Sequence, residues 1–365
     1  MKFICNTREL SDALNTVGKA ISNKANIPIL EGIKIRAEGD EVTLAATDLE
    51  LYISTRIKAN VKLEGETVVT GKIFAEFMRK VADEEVDIEK YTSTLSVSYG
   101  VNVSEFQCMD DETYPESKDV PTDNGFVAKD KDLRDTIEGV IFCAAQDDSR
   151  PILRGCKLEV EDDELVAAAL DGYRLGVTRC RVFGQKGDFG VVIPSKNLQE
   201  IVKIIGEDGS NISVYAEKSR VLFDLGNTKI VTRVLEGEFI QYKKIIPEAV
   251  SSSVVVNKGA LEMGLDRAAL VTKNKKNYVK LSLSSNAINI DSSSEVGKIH
   301  ENVPCDLSGK DIEIAFNTRY LFDAFARIKE DSVKINLSTS NAPAVIVPLE
   351  GDKYLYLVLP VRLVG

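Results

Sequence analysis

Lys72 and Arg79 stand seven residues apart in a stretch patterned like a helix. At 100° per residue Arg79 lies about 20° around the axis from Lys72, whereas Phe74, Phe77, Met78 and Val81 centre about 190° away. Such a helix buries one face and holds two cations on the other. The arrangement recurs: Lys196 and Lys203 accompany Leu198, Ile201, Val202 and Ile205, and Arg319 with a slightly displaced Arg327 accompanies Leu321, Ala324, Phe325 and Ile328. The chemistry open to isolated lysines and arginines on a helix face is contact with phosphates, salt-sensitive and blind to base sequence. Taken singly, each helix is an ordinary solvated face. Recurrence at one position in three segments is what argues for a shared task.

Further cations fall on a second set of helical patterns, Arg8, Lys19, Arg134 and Arg267, followed by Lys24 and the cluster Lys273, Lys275 and Lys276. The overall balance opposes them: 46 basic against 57 acidic residues give a net charge of -11. Nucleic acid would be repelled unless the positive charge is segregated on one surface. The chain has no Trp and no basic patch rich in aromatics, so stacking on single strands is not expected.

The elements that must position these cations are repeated. Ile27-Pro28-Ile29-Leu30-Glu31-Gly32 returns as Arg150-Pro151-Ile152-Leu153-Arg154-Gly155, an offset of 123 residues. The same offset carries Asp48 onto Asp171, and Leu10, Leu14, Val17 and Ile21 onto Leu133, Ile137, Val140 and Ala144. Each repeat reads as helix, strands, helix, strands. The first helix is expected to open at Thr7, a capping residue type, and its counterpart at Asp130. Strands are expected at 33–36, 42–45 and 68–70, and again at 157–160, 165–169 and 191–193. Three units of roughly 120 residues fill the chain, so we expect domains at 1–122, 123–248 and 249–365, each with its own core. The fold class is α+β with much antiparallel sheet.

Several classes fit poorly. There is no apolar run of about 18 residues and no signal-peptide pattern at Met1–Leu10, so a cytoplasmic location without membrane association is expected. Cys5, Cys108, Cys143, Cys156, Cys180 and Cys305 form no CxxC pair and His300 is the only histidine, which argues against structural zinc. No phosphate-binding glycine loop, GxSxG elbow or metal-ligand cluster suggests an enzyme. Acidic runs such as Glu161-Asp162-Asp163-Glu164 read as solvated hairpin loops. No cofactor is expected.

At Met1-Lys2-Phe3, Ile27–Leu30, Thr47-Asp48-Leu49-Glu50, Asp171-Gly172-Tyr173-Arg174-Leu175 and the ending Leu359-Pro360-Val361-Arg362-Leu363, the chain resembles the bacterial DNA polymerase III beta subunit, the sliding clamp. The resemblance spans the whole chain. It implies three DNA-clamp domains, helices inside and antiparallel sheets outside a head-to-tail homodimeric ring, and a non-catalytic processivity role. Simple geometry agrees: domains of this size are about 35 Å across, and six of them leave a hole of similar width, enough for a hydrated duplex.

The resemblance further implies particular residues. Lys24, Lys72, Arg79, Lys196, Lys203 and Arg319 would make diffuse contacts to double-stranded DNA, Lys24 standing where the family has arginine. A partner-peptide pocket would comprise Leu153, Leu170, Gly172, Tyr173, Arg174, Leu175, Ile240, Lys244, Ile245, Leu357, Leu359, Pro360, Val361 and Arg362, with Arg174 or Arg362 supplying donors. Its users would be the replicative polymerase alpha subunit, the clamp-loader complex and other proteins with clamp-binding motifs. Tyr173, Ile240 and Lys244 depart from the family's usual histidine, proline and arginine, and Val364 and Gly365 extend past its usual end, so motif preference is expected to be shifted. By local sequence alone, Asp171-Gly172 is also simply a hairpin turn. The dimer seam would involve Phe106 and Cys108 on one side, Leu270 and Val271 on the other; a helix stripe at 270–271 would look the same if it were core. The remaining alternative is a scaffold that keeps the fold and the pocket without encircling DNA.

Overall fold

The computed structural model describes residues 1–22, 27–110, 113–147, 149–272 and 278–362. Six α-helices are described: α1 (Thr7–Val17), α2 (Gly71–Met78), α3 (Asp130–Ile141), α4 (Ser195–Val202), α5 (Lys258–Ala269) and α6 (Thr318–Phe325). Two fall in each repeat. The chain divides into two compact units, one of Met1–Lys131, Phe183–Phe189 and Lys196–Val234, the other of Asp132–Val182, Gly190–Ser195 and Leu235–Gly365. The middle repeat therefore contributes to both.

The first unit is built on one antiparallel sheet of fourteen strands. Strand Leu51–Lys58 of the first repeat accepts strand Thr228–Arg233 of the second, with Thr228 opposite Thr55, Ile230 opposite Ile53 and Thr232 opposite Leu51. That register puts Ile53 and Ile230, both fully buried, on one face. α1 begins one residue earlier in its capping than expected: Asn6, not Thr7, is the cap, its Oδ1 accepting from Arg8 N–H and Glu9 N–H at 3.0 and 3.1 Å. Asn6 is extended (φ -66°, ψ 129°) while Thr7 is already helical, so only Asn6 can turn its side chain back over the open N–H groups. Leu10, Leu14 and Val17 are buried as a stripe. The helix stops at Val17 and a 3-10 turn follows (Gly18–Ala20), so Ile21 reaches the core from extended chain.

α2 buries Phe74 and Met78 completely. It ends at Met78 with Arg79 as C-cap, one turn shorter than the periodicity predicts. Val81 lies beyond the helix, its N–H bonded to the Met78 carbonyl at 3.2 Å. The reason is local: Val81-Ala82-Asp83 leads directly into strand Glu85–Tyr91, and the apolar stripe has no further core to cover.

The second unit is an antiparallel sheet of twelve strands. Strand Arg174–Arg181 of the middle repeat pairs with Tyr354–Val358 of the third, from Arg174 opposite Val358 to Thr178 opposite Tyr354. One apolar cluster gathers Leu153, Val166, Leu170, Leu175, Phe239 and Tyr242 with Val345 and Leu357 of the third repeat. A second cluster, with Leu265, Ile288, Phe316, Phe325, Tyr356 and Val358, is buried within the third repeat, and Phe142 of the middle repeat packs against it. The six cysteines are unpaired. Burial pushes the Cys156 thiol up to about 12, out of reach of thiolate chemistry at neutral pH.

Candidate functional site

Lys72, Lys196 and Arg319 stand on α2, α4 and α6, and Arg79, Lys203 and Arg327 in the turns just past the ends of those helices. Lys72, Arg79, Lys196, Lys203, Arg319 and Arg327 are all exposed, while Leu198 and Ile201 on α4 and Leu321 and Phe325 on α6 are buried. They are not equally available. Lys203 bonds Glu200 at 2.7 Å, and Arg319 lies 3.9 Å from Asp323. Arg267 is committed to Glu301 by two hydrogen bonds of 2.8 and 2.6 Å, Arg134 to Glu138 at 3.4 Å, and Arg8 lies 4.0 Å from Asp12. Among the described residues, Lys72, Arg79 and Lys196 have no carboxylate within ion-pair distance. Lys24, Lys273, Lys275 and Lys276 lie outside the described residues.

The residues expected of a peptide pocket lie in the second unit, several of them around the Asp171-Gly172 turn. Asp171 Oδ1 accepts from Tyr173 N–H and Arg174 N–H at 2.9 and 3.0 Å, and Gly172 takes φ 92°, a left-handed conformation that glycine adopts without strain. Leu153, Leu170, Leu175 and Leu357 are buried together, with Ile240 packed against them. Leu359 is 37% exposed, its N–H bonded to the Tyr173 carbonyl at 2.8 Å, so it extends the strand ladder past Val358 onto the surface. Val361 N–H bonds the Ala315 carbonyl at 2.8 Å, Pro360 is half-buried and Arg362 is exposed.

The short turn Tyr242–Ile245 packs onto the same cluster through Tyr242. It is anchored by Tyr242, whose hydroxyl donates to Glu159 Oε1 at 2.7 Å. Burial works to raise the Glu159 carboxyl, but hydrogen bonds from Lys157 and Tyr242 outweigh it and hold it below the usual carboxylate range. The anchored turn leaves Lys244 exposed and Ile245 43% exposed. Leu363, Val364 and Gly365 lie outside the described residues.

Arg174 is the more enclosed of the two anticipated donors. Its side chain is 10% exposed, with Nε bonded to Asp171 Oδ2 at 3.0 Å and Nη1 bonded to Asp323. Its guanidinium also lies over the rings of Tyr320 (4.9 Å) and Phe142 (5.3 Å), and Tyr173 stacks on Tyr320 at 6.0 Å. These contacts fix the guanidinium and orient the turn. Asp323, Tyr320 and Phe142 were missed by sequence reasoning; the only available signal was that Asp323 follows Arg319 by one helical turn, which says nothing of a partner 149 residues away.

Unpaired stretches of strand edge lie at both halves of the expected seam. In the first unit, Asn102–Gln107 pairs with Thr94–Tyr99 on one side, and among the described residues no strand lies on the other. Phe106 turns inward, edge-on to Phe74 at 5.1 Å and Phe77 at 4.9 Å, Cys108 is half-buried, and Val101 and Val103 are exposed. In the second unit, Gly297–Pro304 pairs with Ala287–Ser294 on one side, and among the described residues no strand lies on the other. Beside it Leu270 is 59% exposed, and Val271 Cγ1 would lie 3.8 Å from a Cβ on Gly297. Leu270 is thus a surface residue, not core.

Known proteins repeat this division into three. Models of the DNA polymerase III beta subunit match residues 1–118 (N-terminal domain), 128–241 (central domain) and 243–362 (C-terminal domain). The chain is 31% identical to the beta sliding clamp of Halalkalibacterium halodurans over 99% of this chain and 100% of that protein, and 29% identical to that of Staphylococcus epidermidis over 99% of both. Among solved structures it is similar to the DNA polymerase sliding clamp from Bacillus subtilis, with TM-score 0.96, 26% identity and 100% of both chains covered. It is likewise similar to a putative DNA polymerase III beta subunit from Eubacterium rectale, with TM-score 0.94, 30% identity and 100% of both chains covered.

Proposed function

We propose, on the premise that this chain belongs to the DNA polymerase III beta subunit family, that two copies close head to tail into a ring around duplex DNA. The chain is a sliding clamp, a processivity factor of DNA replication and not itself an enzyme. The observation that carries the ring is the pair of open strand edges. A long unpaired edge is a site where another chain adds, and these two come from opposite ends of the sequence, with exposed Val101 and Val103 on one and exposed Leu270 and Val296 by the other. Antiparallel addition of Asn102–Gln107 in one copy to Gly297–Val303 in the next satisfies both of these edges, and doing so twice closes the assembly head to tail.

Within the ring, Lys72, Arg79, Lys196, Lys203 and Arg319, with Lys24, meet phosphates through water and hold no base sequence. Few and scattered cations suit sliding, since tight binding would stop it. The domains are 1–122, 123–248 and 249–365. The cleft around Leu153, Leu175, Leu357 and Leu359 takes a short apolar peptide from the replicative polymerase alpha subunit, the clamp-loader complex or other clamp-binding proteins. No described helix is long and apolar enough to cross a membrane, and DNA replication puts the protein in the bacterial cytoplasm.

Sedimentation through a dilution series tests the ring. A particle of twice the 40.1 kDa chain mass that stays on closed circular DNA and leaves on linearisation is expected. A persistent monomer at high concentration overturns it.

A further inference from the structure

Away from the apolar cleft, the second unit holds a cavity of 130 Å³. Its floor is the seam between strands Arg174–Arg181 and Tyr354–Val358, where Thr178 stands opposite Tyr354 and Gly176 opposite Tyr356. α3 covers one side closely: a Cβ on Gly139 would come within 2.6 Å of Thr178 Cγ2 and 3.5 Å of the Tyr356 hydroxyl. The Thr178 hydroxyl donates to the Thr136 carbonyl at 2.6 Å. The segment after α6 forms the opposite wall, joined to α3 by Lys329 and Asp135 at 2.6 Å.

Tyr354 is 5% exposed and lines this space, and its hydroxyl is buried with no hydrogen-bond partner among the described residues. Buried hydroxyls are normally paired. Burial raises both phenols; the Glu330 carboxylate adds to the rise at both, and Arg327 opposes it at Tyr356. Neither Arg327 nor Glu330 has an ion-pair partner among the described residues, and Lys353 and Asp132 add one more charge of each sign to the lining. The other charges there are already engaged: Arg179 with Asp352 at 3.4 Å, Glu138 with Arg134 at 3.4 Å.

We propose that this cavity binds a small zwitterion of the amino-acid class, its ammonium group toward Tyr354 and Glu330 and its carboxylate toward Arg327 and Lys353. An anion alone would set its charge against Glu330, and a cation alone against Arg327. A space of 130 Å³ is several times the 10–15 Å³ or so that admits one water, enough for a short carbon chain between two charged ends. The Tyr354 hydroxyl then gains the partner that its own chain does not supply. This site needs neither ring closure nor DNA, so it stands or falls apart from the clamp reading.

The test is saturation-transfer NMR on the full chain with 4-aminobutanoate, against butanoate and butylamine, which each lack one charge. Saturable binding of 4-aminobutanoate is expected, weakened about tenfold or more in either single-charge analogue and in Tyr354→Phe and Arg327→Gln, with the sedimenting mass unchanged. Arg327 is exposed, so its variant keeps the test sound should Tyr354→Phe fail to fold. No saturable binding to the wild-type chain, equal binding by butanoate, or equal binding by the Arg327 variant overturns the proposal.

Discussion

Asp323 on α6 holds Arg174, a residue from the preceding repeat, and so fixes the turn that presents Tyr173 and Leu175. The pair is largely enclosed, with the Arg174 side chain 10% and the Asp323 side chain 32% exposed. Asp323→Ala leaves the guanidinium with one carboxylate in a site shielded from water, at a cost of about 2 kcal/mol. We expect a lowered Tm by calorimetry and weaker capture of a clamp-binding peptide by isothermal titration. Unchanged peptide affinity in a destabilised variant would restrict Arg174 to a role in stability.

Leu49 and Gly172 occupy corresponding turns, with φ 76° and 92°. In each the preceding aspartate caps two N–H groups: Asp48 those of Glu50 and Leu51, Asp171 those of Tyr173 and Arg174. A branched residue at positive φ is strained, glycine is not. Leu49→Gly is therefore expected to stabilise the chain by up to about 1 kcal/mol, and Gly172→Ala to destabilise it by about 1 kcal/mol. Denaturant titration distinguishes the signs, and a loss of stability in both would show that the Leu49 side chain matters more than its backbone.

Leu270→Asp places a carboxylate beside the open edge at Gly297, where a second copy is proposed to dock. At micromolar concentration the sedimenting mass should fall from two chains to one while the circular dichroism stays unchanged, because Leu270 is 59% exposed. An intact dimer would move the seam elsewhere.

Lys72, Arg79 and Lys196 are exposed, and among the described residues no carboxylate meets their charge. Each alanine substitution should remove roughly one unit from the log–log salt dependence of binding to duplex DNA, uniformly across sequences. Fluorescence anisotropy at several salt concentrations gives the slope. Lys203→Ala, already paired with Glu200, should do less.

Acid should weaken the first unit through one cluster. Lys34 pairs with Glu66 at 3.2 Å and Glu116 at 2.9 Å, and Arg36 bonds both at 2.8 Å. Burial works to raise Glu66, but the hydrogen bonds from Arg36 and Lys34 outweigh it; those from Lys34 and Arg36 likewise lower Glu116. Because the folded values are depressed, their contribution is complete above the unfolded glutamate value of about 4.3 and disappears as pH falls through the folded values. Both carboxylates are partly solvated, so Glu116→Gln should reduce the acid-induced drop in Tm by only about 1 °C.

Periodicity alone determined the repeats, the α+β class, the buried stripes and the exposed basic faces, since each is a property of local spacing. Phe74 and Met78 had to face inward and Lys72 outward whatever lay opposite. Helix ends were less legible, as Asn6 and Arg79 show, because a cap depends on backbone conformation on both sides of it. Only tertiary structure decided which strand meets which. The alternation in Arg174–Arg181 says that one face is buried but not that Tyr354–Val358 lies alongside, because backbone hydrogen bonds are the same for every residue type and accept any strand of suitable register. For the same reason the sequence could not say that Leu270 is exposed, that Arg174 bonds both Asp171 and Asp323, or that the Tyr354 hydroxyl is buried unpaired. Each follows from where two distant segments come together.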